Sequence, residues 1–173
     1  LKILRENSDA FTAFGYRPLI HSTTDSIWVN EWKTKNKRLF TILSFNPRGQ
    51  SGGLFDILPR ENTHLVDLWN HKEVRTEKKG DSLKVFHDID PFPDKYTATR
   101  REGRVACVAE FEEIIHYTHE HDSLFLRSGK GTHFLLWKGN PSYLKTPVEL
   151  KVPDTAIKLY DYFRAYEGKV VIQ

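Results

Sequence analysis

Residues 27–45 read "IWVNEWKTKNKRLFTILSF", and this stretch decides the fold class. Two runs rich in β-branched and aromatic residues flank the polar turn "TKNK" (34–37), the pattern of an antiparallel hairpin. The second run ends in "NPRGQSGG" (46–53), a loop of turn formers. Period two continues down the chain. "RVACVAEF" (104–111) sets Val105, Cys107, Ala109 and Phe111 on one face, and "VELKV" (148–152) does the same with Val148, Leu150 and Val152. "SLKVFHD", "SLFLRS" and "THFLLWKG" are further short runs bounded by Gly, Asp, Ser or Asn. Helical periodicity is weak; "AIKLYDYFRAYEG" (156–168) is the one contested segment, and its aromatic content favours strands.

Short strands with turn chemistry between them predict an all-β protein, an antiparallel β-sandwich built as two small immunoglobulin-like modules. The natural division is "DIDPFPDKY", where Pro91 and Pro93 interrupt any ladder, giving modules 1–93 and 94–173. One larger sandwich over 1–173 is the alternative. Lys and Arg total 26 against 23 Asp and Glu, and the basic residues scatter, so no nucleic-acid footprint is expected. No apolar run approaches the roughly 20 residues that span a bilayer, so no membrane partner is expected. The chain opens on leucine and contains no methionine, and it reads as a piece of a longer polypeptide. The single Cys107 rules out an internal disulfide, and its alternation with apolar neighbours predicts a buried, inert thiol.

Four motifs carry a family resemblance. "ILRENSDAF" (3–11), the strand with Asn30 and Trp32, the "LFTILSF" strand with its Gly-rich loop, and "DLWN" (67–70) occur in that order. The set resembles the β-sandwich domains that stand behind the catalytic barrel of bacterial glycoside hydrolases, over residues 3–90. The resemblance implies a non-catalytic accessory domain of a secreted, cell-surface or periplasmic enzyme. Its partner would be the catalytic domain of the same polypeptide, and polysaccharide its candidate ligand. It supplies no sugar-contact motif.

Sugar-binding modules stack pyranose rings on flat aromatic faces. Trp28, Asn30 and Trp32 share one strand face and are the first such candidate; Trp137 and Tyr143 join them. In the competing arrangement Trp28 and Trp32 form the core face. Trp69 is expected to be mainly buried with its indole N–H bonded.

"HYTHEHD" (116–122) places His119 and His121 on one side of a strand, a transition-metal pair that His116 or His133 would complete. A metal-dependent β-sandwich or cupin-like enzyme built on His116, His119 and His121 is the rival function, although the glycine of the cupin motif is missing. Asp88, Asp90 and Asp94 are hard oxygen ligands of the kind calcium takes; no cofactor is expected, with calcium the one alternative. Glu110, Glu112 and Glu113 have no evident opposing carboxylate. The sequence holds no nucleophile elbow, P-loop or dinucleotide fingerprint, so the chain is expected not to be an enzyme by itself. A structural or protein-interaction module is the third class.

Overall fold

Alternation along the strands converts directly into two-faced sheets. A computed structural model of the protein describes residues 2–92, 104–152 and 154–173. About half of the chain is strand and 8% helix, and every paired strand is antiparallel. The fold is all-β, as the sequence predicts. Two compact units make up the chain, residues 1–112 and 113–173.

The first unit begins with two short helices, α1 (Lys2–Glu6) and α2 (Ser8–Phe11). It continues with β1 (Gly15–Ile20), β2 (Ile27–Lys33), β3 (Arg38–Ser44), β4 (Gly53–Ile57), β5 (Thr63–Asp67), β6 (Lys72–Glu73), β7 (Thr76–Lys79), β8 (Ser82–Phe86) and β9 (Val105–Glu112). Six strands form one sheet in the order β1-β2-β3-β9-β5-β6, and β4-β8-β7 form a second. Strand β9 pairs with β3 and β5, so "RVACVAEF" completes the first unit instead of opening the second. The expected division at 93/94 fell on prolines; the ladder continues past them.

The core lies between the two sheets. Val29, Phe40, Ile42 and Val108 from the large sheet meet Leu54, Phe55, Ile57 and Val85 from the small one. The Phe40 and Phe55 rings are 5.1 Å apart. The hairpin at 27–45 forms as read, with Ile27 opposite Ser44 and Lys33 opposite Arg38. Its inward face is Ile27, Val29 and Glu31, all buried, so Trp28 and Trp32 point outward and the core-face arrangement is corrected. The reason is electrostatic pairing: Glu31 is tolerated inside because Arg38 and Arg17 lie 3.6 and 3.2 Å from its carboxylate.

The outer face of the large sheet has its own small core. Ala10 of α2 packs with Leu39 and Ala109, with Phe11, Trp32, Leu68 and Phe111 around them. "ILRENSDAF" therefore lies in the helical segment α1–α2. Asn7 bonds the Ile3 carbonyl, while Lys37 from the hairpin turn reaches both Asn7 (3.2 Å) and Asp9 (2.7 Å). The motif is a clasp that pins two single turns of helix to the sheet.

The second unit contains β10 (Ile115–Glu120), β11 (Ser123–Ser128), β12 (Phe134–Lys138), β13 (Val148–Leu150), β14 (Asp154–Lys158), α3 (Leu159–Tyr162) and β15 (Val170–Ile172). Two three-stranded sheets, β10-β11-β14 and β13-β12-β15, enclose Leu124, Leu126, Phe134, Leu136 and Ile157. "LYDY" takes one helical turn, where the sequence favoured strand. Its Leu159 and Phe163 pack on that core, and the backbone N–H of Tyr160 bonds Asp122 at 2.8 Å.

Candidate functional site

Trp32, one of the proposed aromatic platform residues, is hemmed in by its neighbours. Tyr16 lies 4.3 Å from its ring, Phe11 meets it edge-on at 5.3 Å, and its indole N–H donates to Thr41 at 3.0 Å. Asn30 is also engaged. Strand β1 has an irregular register between Arg17 and Ile20, and the freed backbone N–H of Leu19 donates to Asn30 Oδ1 at 3.0 Å. Trp28 is different: it is 42% exposed, in edge contact with Phe45 at 5.2 Å.

Register places Leu43 opposite Trp28, and Val105 opposite Leu43. All three side chains are on the outer face, each about 40% exposed, and Phe45 extends the group at 45%. Phe45 in turn touches Phe92. The structure thus gathers one exposed apolar cluster, Trp28, Leu43, Phe45 and Val105, at the end of the sheet that α2 leaves uncovered. A sequence reading centred on tryptophans misses three of its four members. The signal was the outward parity of Leu43 and Val105 with Trp28.

The "DLWN" motif is organised by its aspartate, not its tryptophan. Trp69 is 54% exposed, which corrects the expectation of burial. Strand β5 ends at Asp67, so the tryptophan stands in a turn and the alternation that would bury it has stopped. Asp67 is fully buried. Its Oδ1 accepts the backbone N–H groups of Trp69 (2.8 Å) and Asn70 (3.0 Å), and its Oδ2 accepts the Asn70 amide at 2.7 Å. His87, also buried, brings Nε2 to 3.3 Å from Oδ2, a close polar contact. Burial pushes the Asp67 carboxyl upward, but His87, Asn70 and the turn amides together outweigh it and hold the group ionised well below the ordinary range. The aspartate thus ties a turn of the large sheet to the segment after β8 of the small sheet.

A second buried charge lies across the large sheet. Glu110 receives Arg38 through Nε at 2.6 Å and Nη2 at 2.8 Å, Thr63 at 3.1 Å and Arg60 at 3.5 Å. It is a paired structural carboxylate in mid-strand. Cys107 is buried on β9, where burial and then the Asp67 charge push its thiol up to about 12. That is the opposite of an activated nucleophile.

The metal candidates stay apart. His119 lies on β10, while His121 has a φ of 54° in the two-residue turn between β10 and β11, so the strand alternation that would align them does not reach His121. Asp88 accepts Ser51 Oγ at 2.8 Å and the Gly52 N–H at 3.4 Å; the Ser51 bond holds its carboxyl below the ordinary value. Asp90 is exposed, and Asp94 lies outside the described residues. Among the described residues no group of three or more His, Cys, Asp and Glu is disposed to hold a metal ion.

In the second unit Trp137 donates its indole N–H to Gln173 at 2.8 Å, and Tyr143 is 62% exposed. The face of β10, β11 and β14 turned away from the core is concave. Cross-strand register builds three rows on it, among them His116–Arg127–Asp154 and Thr118–Phe125–Ala156. These two line an open groove of about 550 Å³. Among the described residues no helix is long and apolar enough to cross a membrane. No protein-family model, curated protein or solved structure matches the chain.

Proposed function

We propose that this chain is a non-catalytic accessory β-module of a larger carbohydrate-active enzyme, secreted or held at the cell surface. It packs on the catalytic domain of the same polypeptide through the outer face of its six-stranded sheet. The observation that carries this reading is the apolar cluster of Trp28, Leu43, Phe45 and Val105, four large side chains each about 40% exposed on a face whose other half is covered by α2. Contiguous exposed apolar groups of this kind mark surfaces that a partner covers. The carbohydrate class comes from the resemblance of "ILRENSDAF", the Asn30–Trp32 strand and "DLWN" to glycosidase accessory domains.

Glu110 is paired with Arg38, Cys107 is deactivated, and the strand that holds His119 stops before His121. These placements give the metal-dependent alternative no support. Trp28 also reports on the docking reading. With Trp32, Trp69 and Trp137 replaced by phenylalanine, acrylamide should quench Trp28 freely in the isolated chain and weakly when the chain is joined to its catalytic domain. Equal quenching in both forms refutes packing through this face.

A further inference from the structure

We infer that the concave face of β10, β11 and β14 is a binding site for an extended, uncharged polysaccharide. The inference deepens the accessory reading and rests on it for its setting, a catalytic domain acting on the same glycan. Its chemistry comes from the groove. Phe125 is 43% exposed at the middle of the three-stranded sheet. Ala156, its register partner on β14, is the smallest side chain beside it and leaves one flank of the ring open. The phenyl ring is thus an apolar plate accessible from solvent.

Around the plate stand polar side chains whose hydrogen-bonding capacity is largely unused among the described residues. Among the described residues the side chains of His116 and Thr118 have no hydrogen-bond partner, and the Arg127 guanidinium faces Asp154, with Nε 3.7 Å from Oδ1. The outer nitrogens of the guanidinium and the second carboxylate oxygen remain available. Arginine supplies donors, aspartate acceptors, and threonine and neutral histidine both. That mixture suits hydroxyl groups, each of which donates and accepts.

Charge selects further. Arg127 and Asp154 cancel, so the groove offers no net field for a phosphate or a uronate. A purely apolar ligand would strand the His116–Arg127–Asp154 row. A pyranose has an apolar C–H face for Phe125 and equatorial hydroxyls for the row beside it. Dimensions agree: three strands span roughly 10 Å at about 4.8 Å per neighbour, and two rows along a strand span roughly 7 Å. The groove is open instead of enclosed, which suits internal units of a long chain over a single trapped sugar. Its volume of about 550 Å³ lies within the range of small-ligand sites.

Affinity electrophoresis of the isolated chain in gels containing soluble β-glucan, xylan or galactomannan tests the site, with carboxymethyl-cellulose as the charged control. At least one neutral polymer should retard the chain more than the charged one. Phe125→Ala should weaken retention by roughly tenfold, about 1.4 kcal/mol. Asp154→Ala, at a 62% exposed side chain, should weaken it severalfold with an unchanged far-ultraviolet spectrum and melt. Trp28→Ala should leave retention intact. Absence of retardation in every neutral gel overturns the inference, and so does retention that survives both Phe125→Ala and Asp154→Ala. Retention lost with Trp28→Ala moves the glycan to the first unit and overturns it as well. None of these results bears on Trp28 shielding by a catalytic domain, so the two readings fail separately.

Discussion

Replacing Asp67 by asparagine is the sharpest perturbation the structure offers, because the two side chains have nearly the same shape. Three hydrogen bonds end on the buried carboxylate, from the Trp69 and Asn70 backbone and from the Asn70 amide, and His87 adds a polar contact at 3.3 Å. Bonds to a charged acceptor contribute about 1.5–3 kcal/mol each and neutral ones about 0.5–1.5. An amide keeps the two turn bonds at Oδ1 in weakened form. Its NH₂ replaces Oδ2 and faces the Asn70 NH₂, so one bond becomes a clash of donors. The summed loss is about 3 kcal/mol, and the first unit should melt more than about 10 °C lower.

The pH dependence has a definite sign. The native carboxyl titrates below its unfolded value of about 3.9. Its contribution is therefore fully present above about pH 4 and is lost as pH falls towards the native value. Urea unfolding of Asp67→Asn and wild type should differ by about 3 kcal/mol at pH 7, and the gap should narrow below about pH 4. A loss under about 1 kcal/mol, or a gap unchanged between pH 7 and pH 3, refutes the account.

The neighbouring Trp69→Ala should change stability by less than about 0.5 kcal/mol, since an exposed turn tryptophan loses little on truncation; a loss above about 2 kcal/mol in urea melts returns it to the core. Arg38→Met should cost about 3–5 kcal/mol by stranding Glu110, Glu110→Leu should cost less because Arg38 keeps Glu31, and the double variant should cost less than the sum of the two. Additive losses in that double-mutant cycle would show that the pair is not acting as a unit.

Strand identity was legible because parity and turn residues are local. The hairpin at 27–45, the Gly80-Asp81 turn between β7 and β8, and the β11, β12 and β15 runs all follow from neighbours in sequence. What stayed hidden depends on distant partners. The inward face of β2 contains Glu31, and only Arg38 and Arg17 make it an interior position. The "ILRENSDAF" helices lack the length to show a period, and the sheet and Lys37 hold them. Trp69 and Asp67 exchanged roles because parity says nothing about where a strand stops. Phe125 carries no local signal of its position, since its register partners come from two other strands.

The large sheet ends badly for any strand that would join it. At one margin β1 carries Pro18, which has no N–H to offer, inside the irregular stretch that Asn30 holds in place. At the other, β6 is only two residues long. Such margins are poor templates for a further strand, from another copy or from a misfolded neighbour. Lateral growth of the sheet into fibrils is thereby discouraged at both sides. A chain exposed to solvent at high concentration can leave a broad hydrophobic face open for use and still resist zipping edge to edge.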